Sequence, residues 1–307
     1  MKICFFKHAD IDREKYDQCI WNASNGVIYA MSWYLDAVAP DWQLLATPDY
    51  SFVMPVPRKQ KFGIPYLLQP WMCQQLGVFS PENISEEIYR RFMKKIPAVG
   101  CILQLNSGNL FGQKELRPNY ILDIRPDYET IRSRYHNNTR TDLKKAAEAG
   151  LLIDYRTDYT AIIELTRQHS PYYTGKIVDI ATQLAEKAHE NDSLLVRCVR
   201  DKTTSELLSA VLFFRWKNRL YYLLPVSTDK GKKTGAMRFL IDHFIAEFAG
   251  KDYWIDFEGS AIPSVAQFYR NFGAVVEWYP VFRSFLARIN AKCRYIQKNS
   301  ISLQDNN

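Results

Sequence analysis

The stretch DFEGSAIPS, Asp256–Ser264, runs directly into VAQFYRNFGA, Val265–Ala274, and its reading decides the fold. WIDFEG alternates like a short strand, so Asp256 and Glu258 share one face while Phe257 points to the other. PSVAQFYRNFGA then has helical spacing, with Phe268 and Phe272 on a buried face and Gly273 at its end. Two carboxylates at a strand end, followed at once by a helix carrying Tyr269, set a base and a phenol close together in the chain. Tyr269 is either core packing, like its phenylalanine neighbours, or a general acid. A phenol with an ordinary pKa of about 10 can hand its proton to a departing anionic group. Asp256 is likewise either a base or an ion-pair partner. Glu258, nearer the strand end, is the better placed base.

Working outward, the second half opens with a long helix expected from Pro126–Asp127 to Gly150, a glycine suited to a left-handed C-cap. Along it Arg132, His136, Arg140 and Lys144 step by four, which makes a basic stripe able to follow a nucleotide or anionic substrate, or a solvated face. The strand LLIDYR, two helices, a three-strand meander ending in RLYYLLPVS, and the helix TGAMRFLIDHFIAEFAG lead to the opening stretch. VVEWYPVFRSFLARI, Val275–Ile289, ends the half as a strand pair or one bent strand. The first half has the same general order of strand, two helices, strands, helix and strands. Ser32 and Ser85 are its candidate helix caps. The expected class is α+β: two domains, 1–125 and 126–295, each a mixed, mostly antiparallel central sheet flanked by helices, then a polar tail over 296–307.

Bulk properties agree. A chain of 307 residues, 47% of them hydrophobic, supports two cores. The net charge of +7 suits a partner carrying phosphates, a nucleotide cofactor or RNA, and equally a merely soluble basic surface. No apolar run reaches the roughly 18 residues of a membrane span. The opening MKICFFKHADIDREKYD has too short an apolar run for a secretory signal, so a cytoplasmic protein is expected. The six cysteines are scattered without CxxC and the five histidines are dispersed, so reduced thiols and no metal site are expected.

Between RLYYLLPVS and the following helix the chain reads KGKKTGAMRFL, Lys230–Leu240. Lys232, Lys233 and the backbone amides around Gly235 and Ala236 could seat a phosphate ahead of that helix, or form a solvated turn. This turn, the Ala266-x-x-Tyr269 step closing on Gly273, and the element order resemble the GNAT acyltransferase superfamily. Met237 departs from the pattern, standing where a second small residue is usual, with Ala236 one place early. RYHNNTRTDLKKAAEAG, Arg134–Gly150, and the D-F-x-G-S strand end are similar to the FemAB-like proteins of that superfamily. So is QPWMCQQLGVF, Gln69–Phe79, to their glutamine–glycine–aromatic loop. By motif the resemblance covers roughly 126–290; in the first half it otherwise rests on element order.

The resemblance implies two GNAT-like domains and an acyl- or aminoacyltransferase. The donor would be acyl-CoA or aminoacyl-tRNA. The acceptor would be an amine on a small molecule or a cell-envelope precursor, with tRNA a possible partner and no metal. Tyr269, Glu258 and Asp256 would serve catalysis, Lys232, Lys233, Gly235 and Ala236 the donor, and Arg132, Arg140 and Lys144 the substrate. The chain lacks the long coiled-coil insertion of some tRNA-dependent members. From another class, a noncatalytic RNA- or nucleotide-binding protein on a degenerate GNAT scaffold would share the charge and the basic stripe.

Overall fold

A computed structural model describes residues 1–259 and 262–284. Ser260 of the D-F-x-G-S motif, the expected last strand beyond 284 and the polar tail 296–307 lie outside the described residues. Two units are distinguished among the described residues: 1–117 together with 279–284, and Pro118–Trp278.

The first unit begins with β1 (Cys4–Phe6), helices α1 (Arg13–Asn22) and α2 (Ser32–Val38), and strands β2 (Gln43–Ala46) and β3 (Val53–Val56). These three strands form an antiparallel sheet in the order β1-β2-β3. Strands β4 (Arg58–Lys61) and β5 (Ile64–Leu68) make a hairpin. Helix α3 (Glu86–Lys94) follows, and β6 (Gly100–Gln104) pairs parallel to β5. Ser85 caps α3 as its position predicts, its Oγ accepting the Ile88 N–H at 3.2 Å. The buried face carries Tyr89 and Phe92, packed with Met54, Leu67 and Cys101. Ser32 is not a cap: it is the first residue of α2, and Asp17 of α1 takes the capping role by accepting the Ser32 N–H at 2.8 Å.

The second unit takes in most of β7 (Glu115–Asp123), then α4 (Tyr128–Ser133), α5 (Asn137–Glu148), β8 (Leu151–Asp154), α6 (Tyr159–His169) and α7 (Lys176–Glu190). The meander β9 (Leu194–Asp201), β10 (Leu207–Trp216) and β11 (Arg219–Ser227) comes next. After it come α8 (Asp229–Thr234), α9 (Ala236–Phe248), β12 (Trp254–Asp256), α10 (Pro263–Arg270) and β13 (Val275–Arg283), which ends in the first unit against β6. The sheet order β7-β12-β11-β10-β9-β8 is antiparallel except for the parallel pair β11–β12. The class is mixed α+β. The apolar stripe of α9 covers this sheet, with Phe244 stacked on Phe213 at 3.7 Å and the rings 5° apart. Among the described residues no helix is long and apolar enough to cross a membrane.

The long helix expected over 126–150 is two helices. Asp127 caps α4, accepting the Thr130 N–H at 2.9 Å, and Gly150 follows α5 at φ +64°. Between them the chain breaks because Tyr135 is buried edge-on against Phe272, ring centroids 5.3 Å apart. The His136 N–H then donates to the Asn271 carbonyl at 2.9 Å, satisfying outside the helix the group that would have continued it.

Candidate functional site

Strands β11 and β12 pair in parallel through Arg219–Trp254, Leu220–Ile255 and Tyr221–Asp256, and there the register ends. Past Asp256 the chain stays with β7: the Phe257 N–H donates to the Tyr120 carbonyl at 2.9 Å, and the Tyr120 N–H to that of Glu258 at 3.2 Å. Strand β11 runs on to Ser227 against β10 instead. Two parallel neighbours therefore part halfway along. On β11 the pairing jumps from Leu224 to Tyr222, which leaves Leu223 as the extra residue of a β-bulge, a place where ladder bonding is interrupted.

A cleft of about 350 Å³ lies where the strands have parted. Tyr222, Pro225, Val226 and Ser227 of β11 and Ser264, Val265, Phe268 and Tyr269 of α10 line it, with Met237 at the start of α9. The walls carry no ionisable group other than the tyrosines, which suits the apolar part of a ligand.

Tyr269 is packed in the core and also faces the cleft. The residue is only 7% exposed, and its ring stacks on Phe257 at 4.8 Å with Tyr222 edge-on at 6.0 Å. It is nevertheless a wall of the cleft. Burial, and after it the charge of Glu258, push its phenol above the ordinary value, so the hydroxyl keeps its proton at neutral pH. Glu258 is half-buried and sits at φ +59°, a left-handed conformation that costs a side-chain-bearing residue about 1–2 kcal/mol. Asp256 Oδ1 restrains it by accepting its N–H at 2.9 Å.

No protein-family model matches this sequence, and no curated protein matches it. Solved structures do. A FemX crystal structure superposes with a TM-score of 0.62 at 10% identity, covering 91% of this chain and 96% of that one. A tandem GNAT protein from the clavulanic acid biosynthesis pathway gives 0.51 at 8% identity, covering 92% and 98%. L-PGS from Bacillus licheniformis gives 0.50 at 11% identity, covering 82% and 88%. The chain has the FemAB-like, tandem GNAT fold. Identities this low establish the fold alone.

Within this FemAB-like fold the residues singled out in the sequence fall in distinct environments. Asp256 is 1% exposed and bound to Arg219 of β11 at 2.8 Å. The same guanidinium holds Glu277 of β13 at 2.6 and 3.1 Å, and Asn119 of β7 donates to Glu277 at 3.3 Å. Burial raises the Asp256 carboxyl above its usual range, although Arg219 opposes this. Burial also raises Glu277, but its bond to Arg219 outweighs that and holds its carboxyl below the usual range. Asp256 thus braces Glu258 from a closed ion cluster. Arg219, Asn119 and Glu277 escaped the sequence reading because they arrive from three separate strands. Tyr173, between α6 and α7, escaped it too. Its phenol is pushed up to about 12 by burial and then by the charge of Glu258.

The expected phosphate turn is a capped helix. Thr228 Oγ1 accepts the Gly231 N–H at 3.0 Å to start α8. Gly231 lies against β10 so closely that a Cβ there would stand 2.1 Å from the Leu208 oxygen. Gly235, at φ +73°, joins α8 to α9, and a Cβ on it would meet Ala146 and Asp142 of α5 at 3.7 Å. Lys232 pairs with Asp229 at 3.0 Å, Lys233 is exposed, and Ala236 is fully buried. These four do not line the cleft, whereas the unexpected Met237 does. The basic stripe is also divided. Arg132 of α4 lies over the Tyr128 ring at 5.8 Å, Arg140 of α5 folds back to donate to the Ser133 carbonyl, and Lys144 is exposed farther along α5. No metal-holding group of His, Cys, Asp and Glu occurs among the described residues.

Proposed function

We propose that the second unit is an acyl- or aminoacyltransferase that moves its group from a thioester or ester donor, acyl-CoA or aminoacyl-tRNA, to an amine. The parting of β11 from β12 beside Tyr269 is the observation that carries this reading. The fold shared with FemX and the tandem GNAT protein supports it.

In the proposed reaction the acyl chain lies in the apolar cleft, and the amine nitrogen attacks the acyl carbon. Glu258 accepts the proton that the amine loses. As the tetrahedral intermediate collapses, the carbon–sulfur or carbon–oxygen bond breaks, and the departing atom takes the phenolic proton of Tyr269. The proton held by Glu258 restores the phenol, so the enzyme ends as it began. Backbone donors at the Leu223 bulge are the candidates for polarising the carbonyl. Asp256 positions Glu258 rather than acting as a base. For the donor's phosphates, Lys233 and the amide at Ala236 are the proposed contacts, with Lys232 and the Gly235 N–H only once their bonds to Asp229 and to the Lys232 carbonyl open. Arg132, Arg140 and Lys144 would meet an anionic acceptor.

The test is a Tyr269→Phe variant assayed with acetyl-CoA, and separately with aminoacyl-tRNA, over a panel of amines. Turnover should fall about a hundredfold with donor binding unchanged. The alkaline limb of the wild-type pH profile should lie above about 10, because the phenol is raised. Unchanged turnover would reduce Tyr269 to packing. If RNA alone binds, with a steep salt slope, the noncatalytic alternative takes its place.

A further inference from the structure

The β4–β5 hairpin of the first unit turns on Phe62 and Gly63, at φ +51° and +77°, with Lys61 paired to Ile64 across the turn. Two central residues at positive φ mark a type I′ turn, whose first position favours asparagine, aspartate or glycine. Phenylalanine is a poor choice there on backbone grounds. It also gains nothing from burial, since Phe62 is 91% exposed. Neither the turn nor the core accounts for an aromatic at this position.

Its surroundings point to what does. Ile64 is 56% exposed and Val99 51%. The Val99 N–H donates to the Pro65 carbonyl at 3.1 Å, so these side chains belong to the same end of the unit. From Tyr50 to Pro81 the sequence holds no acidic residue, and its only charges are Arg58, Lys59 and Lys61. Lys94 and Lys95, exposed at the end of α3, lead into the Val99 loop. A protruding aromatic among cations matches the interface of an anionic bilayer, where the ring enters the headgroup–acyl boundary and the ammonium groups meet lipid phosphates. Nucleic acid would satisfy the cations and could stack a base on Phe62, but it would leave the aliphatic Ile64 and Val99 in water. Pairing of β4 with a second copy is opposed by the lysines on that edge.

We propose that the hairpin tip, Phe62 with Ile64 and Val99 and with the exposed Lys59, Lys94 and Lys95 close by in the chain, seats the protein on an anionic phospholipid surface. This placement is independent of the transferase reading.

Flotation of the full chain with vesicles tests it, using phosphatidylcholine alone and phosphatidylcholine with about a third phosphatidylglycerol, at about 0.05 and 0.5 M salt. Binding is expected on the anionic vesicles only and should weaken at the higher salt. Phe62→Asn places a favoured residue in the turn, so its melting temperature should hold or rise while vesicle partitioning drops about tenfold or more. Phe62→Trp should keep the binding. No preference for anionic vesicles in the wild type would overturn the proposal, as would undiminished binding by a folded Phe62→Asn. A concentration-dependent dimer that Phe62→Asn dissolves, without any vesicle binding, would assign the tip to self-association instead.

Discussion

Replacing Arg219 by methionine keeps the length and apolar stem of the side chain and deletes the charge that two carboxylates share. Asp256, 1% exposed, would be left with the uncharged Glu258 N–H at 2.9 Å and the Asn119 amide, and Glu277 with Asn119 at 3.3 Å. Removing one partner of a buried ion pair costs roughly 3–5 kcal/mol. Here the lower end applies, about 3 kcal/mol, because the Arg219 and Glu277 side chains are 26% and 19% exposed and water can reach the vacated space. A second change, Asp256→Asn, removes one of the stranded charges and should recover about half of the loss.

The pH dependence has a definite sign. Without Arg219 both carboxyls have folded-state pKa values above their unfolded ones, near 4. Raised carboxyls make the folded state the better proton binder, so the defect is least at acid pH and grows as pH rises through the raised values. Urea unfolding followed by circular dichroism at about pH 5 and pH 8 measures this. The Arg219→Met deficit should be clearly larger at the higher pH. A deficit below about 1 kcal/mol at pH 8, or one that is larger at pH 5, would refute the description of this cluster as a buried, charge-balanced brace. Because Asp256 restrains Glu258, the same variant should lose turnover while still binding the donor.

Two further substitutions separate stability from chemistry. Glu258→Gly relieves the conformation at φ +59° and should leave thermal stability equal or raise it by up to about 1 kcal/mol, while transfer activity collapses. Undiminished transfer would remove Glu258 from the proton path. Gly231→Ala drives a Cβ to 2.1 Å from the Leu208 oxygen, a backbone atom that has nowhere to go. The melting curve should record a loss of more than about 2 kcal/mol, and an unaltered curve would mean that α8 does not lie this close to β10.

The parts legible in the sequence are those set within one or two helical turns. Ser85 and Asp127 bond to amides three residues ahead, so their role as caps is written locally. The spacing of α9 and α10 and the glycine at 150 are local in the same sense. Local also is the proximity of Asp256, Glu258 and Tyr269 along the chain, which puts the two carboxylates at the end of β12 and just past it and the phenol on α10.

What tertiary structure alone decided depends on partners far apart. Arg219 is 37 residues from Asp256 and 58 from Glu277, so no spacing rule could have paired them. The break at Tyr135–His136 was made by Phe272 and Asn271, which outcompete a continuous helix by burying an aromatic ring and capturing an N–H. The lysine–glycine turn became α8 because Gly231 lets it press against β10. The sequence by itself therefore determined the order of elements and where most begin, since propensity and capping act between near neighbours. The opening between β11 and β12 and the brace behind Glu258 belong to the folded chain. They arise only when surfaces distant in sequence bury their charges and rings against one another.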